Sequence, residues 1–490
     1  MKRRLWIAAM VLLWACAMFW LIRFEAFPHV FTHRISGYRN IFSSAPVLMD
    51  SWMKILFDGR HIGYSHTLVD IDDQAVPQQY IVQNETRMNL NIMGQMQRIN
   101  ADVSARLDTT YVLREFSFEM RAGQYSIILT GKRMENGLFS VEIESPGGVQ
   151  KTEMEIPDDV VIHSALLEVG LGNMSPGEVM RMRTLDPTTL SLMDMEVRAL
   201  RREEINGQKA LVLSSTVQGV EFTSWVDDKG NLLRQETPFG WVLEAAEDTE
   251  ATAFERDASG QADMLSRLAI PSANPLRDAR TVRRMKIRLA GLQLSPAELT
   301  TSRQRVVPGG PEGTVLEISV EPFSAGPQPD PKLFLAASPF VQSDHKDIIA
   351  RARQITGKSQ SKPDKARAIC DWVYEYVEKD PAASLPSAIE VLRVGKGDCN
   401  EHTYLFVALA RAAGIPARIC IGAVYLDGSF YYHAWPAVFL DGWVEMDPTF
   451  GQHEADASHI FLCEGESAAQ VRLLQVVGQV KAEILEEHYE

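Results

Sequence analysis

Between residues 46 and 255, short runs of alternating apolar and polar residues recur, each broken by turn formers. Met88-Asn89-Leu90-Asn91-Ile92 and Phe139-Ser140-Val141-Glu142-Ile143 have a period of two, which turns one face of a strand toward a core. Met53-Lys54-Ile55-Leu56-Phe57, Asp58-Gly59-Arg60 and His61-Ile62-Gly63-Tyr64 read as a hairpin. So do Ser224-Trp225-Val226, Asp227-Asp228-Lys229-Gly230-Asn231 and Leu232-Leu233-Arg234. The pattern predicts one extended, strongly antiparallel sheet domain over 46–255, curved or barrel-like. Within it, residues 160–169 follow Asp158 and Asp159 and predict a short helix.

A polar, Pro-containing stretch at 252–277 interrupts the alternation and marks a boundary. A smaller β segment, 278–330, follows, with Met285-Lys286-Ile287-Arg288-Leu289 and Val315-Leu316-Glu317-Ile318-Ser319-Val320 as strands and Pro308-Gly309-Gly310-Pro311 as punctuation. From Ser338 the spacing turns helical, at 344–355 and again at 363–377, where Ala366, Ile369, Cys370, Val373 and Val377 share one face. Cys370 on that stripe reads as a small buried hydrophobe.

The first residues change the picture. Lys2-Arg3-Arg4 precede an uncharged run of 18 residues, Leu5 to Ile22, with Trp6 and Trp20 near its ends. That length is the lower limit for crossing a bilayer core of about 30 Å, with the cationic head on the inner side. Ala15-Cys16-Ala17 resembles a signal-peptidase site and Leu13-Trp14-Ala15-Cys16 a lipoprotein box. The apolar run continues past both, and Trp14 is bulky for the latter, so an uncleaved transmembrane anchor over 1–22 is expected, followed by a linker at 23–45. The body then lies outside the cytoplasm, on the periplasmic side in a Gram-negative cell.

A chain of 490 residues implies several domains, and 46% hydrophobic with 23% charged residues is a globular balance. The net charge of −15 argues against nucleic acid as a partner. The soluble cysteines are Cys370, Cys399, Cys420 and Cys463; with Cys399 kept as a thiol, at most one bridge is possible. No Cys-x-x-Cys, zinc spacing or Asp-x-Asp-x-Asp-Gly loop is present, so no metal and no cofactor is expected. The β-rich domain carries no motif that assigns it a partner.

The chemistry is concentrated near the C-terminus. Gly395-Lys396-Gly397-Asp398 is a turn, and the residues after it have helical spacing up to Gly414 and Pro416, which sets Cys399 in the first turn of a helix. Unpaired amides and the dipole there are expected to depress the thiol pKa, and the Cys399 amide is half of a possible oxyanion hole. Two strands follow, the second carrying His433. A turn at Asp441-Gly442 leads into a third strand that delivers Asp447. If the last two pair, His433 and Asp447 lie on neighbouring strands facing the helix, as a thiol acyl-transfer site requires.

These residues, with Leu409-Ala410-Arg411-Ala412-Ala413-Gly414-Ile415-Pro416-Ala417-Arg418, His433-Ala434-Trp435 and Asp447-Pro448-Thr449, resemble the transglutaminase-like core of bacterial cysteine proteases and transglutaminases. The resemblance covers 340–490. It implies a papain-like core over 338–490, with Cys399 as nucleophile, His433 as general base and acid, and Asp447 as the group that fixes the imidazole. Many members place an acidic residue two positions after His-Ala-Trp, whereas here Pro436 and Ala437 follow. His402 reads as a structural hydrogen-bonding residue, Trp435 and Trp443 as packing or cleft walls, and Cys420 as core.

The expected fold class is α+β: a papain-like transglutaminase core preceded by antiparallel β-rich regions and one N-terminal transmembrane helix. The expected activity is acyl transfer or hydrolysis at amide bonds of a protein or peptide substrate through a thioester. The alternatives are a cysteine protease or amidase of the same fold, and a non-catalytic envelope scaffold.

Overall fold

The computed structural model describes His33–Arg34 and residues 48–489 apart from 73–74, 76–77, 93–94, 124, 146–147, 163–170, 187–189, 218, 238–239, 255–262, 264–268, 293, 309–311, 324–329, 360, 381–386 and 467–479. The anchor expected at 1–22 lies outside these residues. Among the described residues no helix is long and apolar enough to cross a membrane.

Among the described residues, the alternating region supplies fifteen strands of a sixteen-stranded sheet, and His33–Arg34 is the other. Two antiparallel meanders, from Met49–Phe57 to Gly148–Met154 and from Val179–Asp186 to Trp241–Ala246, join where Trp241–Ala246 pairs with Met49–Phe57. The first expected hairpin turns at Asp58 and Gly59, both at positive φ (52° and 74°), as a tight hairpin between twisted strands requires. Met53, Ile55 and Phe57 share the buried face, so the period of two is met.

The helix expected at 160–169 is corrected in part. Val160–Ile162 is a strand, parallel to Val179–Asp186 and buried at every residue. Two-sided burial of a β-branched run favours a strand, and periodicity over so few residues cannot exclude one. The remainder, 163–170, lies outside the described residues.

Among the described residues, the C-terminal unit is built from four helices, two sheets of four and five strands, and the short parallel pair of Glu378–Lys379 with Lys396–Gly397. A four-stranded sheet runs in the order Gln304–Val307, Thr314–Ser319, Val282–Ala290, Lys481–Tyr489, so the last strand of the chain pairs with the segment that precedes the helices. A five-stranded sheet holds Ile270–Pro271, Ser429–Phe439, Ala417–Leu426 and Ile460–Glu464 in that order, with Trp443–Glu445 also paired to Ser429–Phe439. The helices are Lys346–Thr356, Lys362–Tyr376, Ala388–Val394 and Cys399–Ala412. The last is buried from Glu401 to Ala410 and forms the centre of the unit.

That helix starts where its sequence says it should. Asp398 Oδ1 accepts from the Asn400 amide at 2.8 Å, and Glu401 Oε2 accepts from the Asp398 amide at 2.8 Å, a capping box. Gly397, at φ 151°, makes room for it: a Cβ there would sit 2.2 Å from Glu401 Cγ. Gly414 at φ 78° ends the helix and Pro416 follows.

Candidate active site

Cys399 is the first residue of its helix and is half-buried. One turn on, Thr403 Oγ1 donates to the Ala434 carbonyl at 3.0 Å, and Tyr432 Oη donates to Asn400 Oδ1 at 2.7 Å. These two bonds fasten the helix start to the strand segment on either side of His433. The Ala434 amide is close enough to the sulfur to favour a thiolate.

The expected depression of the Cys399 pKa is not found. Burial, together with the carboxyls of Asp398, Glu401 and Asp447, pushes the thiol well above its ordinary value, and the Ala434 amide offsets only part of this. A helix terminus contributes a fraction of a charge, whereas desolvation acts on the whole thiolate.

His433 lies on the central strand opposite Gly422, is 3% exposed, and is flanked by the rings of Trp435 and Phe450 at centroid distances of 5.9 and 5.3 Å. A Cβ at Gly422 would meet Trp435 and the Ile460 carbonyl, so only glycine permits this approach. Ser429–Phe439 and Trp443–Glu445 pair as expected, with Phe439 opposite Trp443 and Asp441 in the turn at φ 71°. The chain then brings Asp447 beneath His433, whose Nε2 donates to Asp447 Oδ2 at 2.8 Å. With Nε2 engaged, Nδ1 is the ring nitrogen that Asp447 does not occupy. Burial lowers the His433 pKa; Asp447 opposes this, while His459 and Arg280 reinforce it.

Asp447 is fully buried yet accepts four hydrogen bonds. Its Oδ1 takes the amides of Thr449 (2.7 Å) and Phe450 (3.3 Å), and its Oδ2 takes His433 and also His459 Nε2 at 3.0 Å. Burial alone would raise this carboxyl, but the two imidazoles hold it far below the ordinary range.

Sequence reading passed over His459. It lies on no strand motif and has no metal spacing, and the one local signal is Asp456 three residues before it. His459 Nδ1 faces the Asp456 carbonyl at 3.1 Å and Asp456 Oδ1 at 3.3 Å. Against the burial that opposes charge, Asp456 and Asp447 push His459 up to about 9. Arg280, from the small β segment, completes the group: its Nη1 lies 3.1 Å from Asp456 Oδ2 and its guanidinium 4.2 Å from the centroid of Phe450.

A second buried chain supports the histidine strand. Trp435 Nε1 donates to Glu445 Oε2 at 2.9 Å, and Arg303 Nη1 donates to the same oxygen at 3.2 Å. Glu445 is the cross-strand partner of Ala437, the position where an acidic residue is expected by resemblance. The carboxylate missing from one strand is supplied, on the same face, by its neighbour.

The other expectations fall into place locally. His402 is buried, with Nδ1 2.6 Å from the Asp398 carbonyl, and burial keeps it neutral. Cys370 and Cys420 are buried and their thiols are pushed up by burial; the four described cysteines are all free. Donor atoms of His433, Asp447 and His459 lie within 4.8 Å of one another. Both Nε2 atoms are directed at one carboxylate oxygen at hydrogen-bond distance, so the trio is built as an acid–base cluster and we assign it no metal.

Residues 349–448 match the model of the transglutaminase-like superfamily. Kyphoscoliosis peptidase of Homo sapiens is 30% identical over 110 residues, 19% of this chain and 16% of that protein. An uncharacterized protein of Haemophilus influenzae is 34% identical over 99 residues, 19% of this chain and 26% of that one. The chain thus spans about a sixth to a quarter of these curated relatives. The periplasmic domain of TgpA from Pseudomonas aeruginosa superposes with a TM-score of 0.24 at 15% identity, over 36% of this chain and 92% of that one. The sixteen-strand sheet lies outside the family match, and the C-terminal unit carries a transglutaminase-like core.

Proposed function

We propose that this protein is a membrane-anchored, extracytoplasmic thiol enzyme that transfers or hydrolyses acyl groups at amide bonds of proteins or peptides, with Cys399 as nucleophile, His433 as base and acid, and Asp447 as its orienting carboxylate. The observation that carries the reading is the tie between helix and sheet. The first turn that bears Cys399 is bonded to the strand that bears His433, and His433 Nε2 is bonded to Asp447.

In this mechanism Cys399 Sγ attacks the carbonyl carbon while its proton passes to His433 Nδ1, and the Cys399 amide meets the developing oxyanion. The imidazolium returns that proton to the departing nitrogen as the carbon–nitrogen bond breaks, leaving a thioester and free ammonia or amine. Water or an amine, deprotonated at Nδ1, then attacks the thioester, and the sulfur leaves and is reprotonated. Asp447 holds the ring and stabilises the imidazolium at each stage. Because burial pushes the Cys399 thiol up and the His433 imidazole down, the proton moves with the attack and not before it.

The anchor rests on the Lys2-Arg3-Arg4 head and the apolar run behind it. Extraction of the full chain from membranes by detergent but not by alkaline carbonate, with the body open to external protease in spheroplasts, is the expected outcome. Soluble recovery without detergent removes this part.

The activity is tested with a glutamine-containing protein and a fluorescent primary amine. Amine incorporation assigns a transferase, peptide release a hydrolase, and the loss of either in Cys399→Ala assigns it to this site. If wild type and Cys399→Ala behave alike in both assays, and iodoacetamide modifies Cys399 no faster than Cys463, the enzymatic reading fails.

A further inference from the structure

His459 is placed so that both of its ring nitrogens face acceptors and nothing else: Nε2 toward Asp447 Oδ2, Nδ1 toward the carbonyl and Oδ1 of Asp456. A neutral imidazole has one N–H, and would turn a lone pair toward a carboxylate on one side. Neither carboxylate can take the proton instead. Asp447 already accepts from two amides and His433, and Asp456 accepts from the Ser458 amide at 2.8 Å and Gln452 Nε2 at 2.9 Å and is ion-paired with Arg280. His459 is therefore an imidazolium, and two carboxylates, Asp447 and Asp456, are matched by two cations, His459 and Arg280.

We propose that His459 is a positioning residue which, held charged by Asp456 and Arg280, fixes the Asp447 carboxylate and withholds part of its charge from His433, so that His433 rests as a neutral base. This rests on the reading of Cys399, His433 and Asp447 given above and adds the device that sets its working pH. The charged groups that bear on His433 are Asp447, which raises its pKa, and His459 and Arg280, which lower it. Asp398 and Glu401 at the helix start act on the sulfur, His402 is neutral, and the Cys370 thiol nearby is held protonated by burial. The cation from His459 is thus the element that a carboxylate-only arrangement lacks. Removing it lets Asp447 act on His433 alone, which strengthens the hold of His433 on its proton. A base that binds its proton more tightly is lost to protonation at higher pH.

Arg280 and His459 both lie outside the residues that match the superfamily model. The small β segment is thereby joined to the site's electrostatics and not only to its packing.

The test uses iodoacetamide modification of Cys399 in the full-length protein, followed by peptide mass spectrometry across pH 4 to 9, which needs no knowledge of the substrate. In His459→Gln, which retains a donor for Asp447 but no charge, the acidic limb is expected to move up by about one pH unit, a rate about ten-fold lower on that limb. Arg280→Gln, which loosens Asp456, shifts it in the same direction by less. A purely structural role lowers the reactive fraction without moving the limb, and an unmoved limb in a folded His459→Gln protein overturns the proposal. Should that variant not fold, 15N-histidine NMR of the wild type at pH 7.5 decides: one slowly exchanging imidazole with both nitrogens protonated is expected, and its absence overturns the proposal. A wild type with no acidic limb and no fast cysteine points to failure of the underlying enzymatic reading. A normal wild-type limb that ignores His459 points to failure of this inference alone.

Discussion

Thr403 and Ala434 are joined by a 3.0 Å hydrogen bond from the threonine hydroxyl to the alanine carbonyl, and through it the position of Cys399 depends on that of His433. Both ends are fully buried, one helical turn beyond the cysteine and one residue beyond the histidine. Thr403→Val keeps the shape and removes the donor. Loss of about 1 kcal/mol in unfolding free energy is expected from the unmade bond, together with about ten-fold lower turnover from the looser alignment. Denaturant unfolding and amine-incorporation kinetics check the two effects; turnover at the wild-type level separates the bond from the chemistry.

Asp447→Asn leaves the backbone intact while removing the charge that two imidazoles share. By analogy with other thiol and serine sites, kcat is expected to fall by about 10^3 to 10^4 with little change in KM. Steady-state kinetics at several pH values measure this. A loss below ten-fold contradicts the role given to Asp447.

The Arg303 and Glu445 side chains, each 6% exposed, form an ion pair that also engages Trp435 Nε1 and the carbonyls of Ser319, Ala455 and Asp456. Arg303→Met leaves Glu445 as a buried charge without its cation and is expected to cost about 4 kcal/mol, whereas Glu445→Gln costs less. Combining the two is expected to recover part of the loss of Arg303→Met, as a double-mutant cycle by urea unfolding reads directly.

Glu390 is 3% exposed, its Oε1 has no hydrogen-bond partner, and burial followed by the nearby Glu401 pushes its carboxyl up to about 7. Folding therefore favours the protonated form: its contribution is complete below pH 4.5 and is lost as pH rises through about 7. Glu390→Gln mimics the protonated state. At pH 8 it is expected to be more stable than wild type by about 3 kcal/mol, with the gap closing toward pH 4.5. Thermal melts across this range show the convergence, and a constant gap contradicts the assignment.

His459 has the opposite chemistry but the same sign. Its folded value of about 9 lies above the ordinary 6.5, so the stability it adds is complete below pH 6.5 and disappears as pH rises through 9. The stability difference between wild type and His459→Gln should be constant from pH 5 to 6.5 and then shrink by about 3 kcal/mol. Melting curves in this window test it without any assay of activity.

Much of the site was legible in the chain because its signals are local. The Asp398 cap and the Gly397 turn are adjacent to the cysteine they position, and the hairpin around Asp441 sets the relation of His433 to Asp447 by counting residues. The same holds for the period-two strands of the large sheet. Residues 160–162 form a strand where a helix is expected because a short apolar run between turns has no period long enough to tell helix from buried strand.

Within the chain alone are written the helix that begins at Cys399, the two strands after it, and the candidates Cys399, His433 and Asp447. Tertiary structure alone decided that Glu445 stands in for an acid at position 437, and that Lys481–Tyr489 pairs with Val282–Ala290. It also decided that Arg280, Asp456 and His459 stand behind Asp447. Caps, turns and periodicity are written within a few residues of where they act. Burial and buried charge depend on groups brought together from distant parts of the chain, and these push the Cys399 thiol up where the local helix terminus argues for a thiolate.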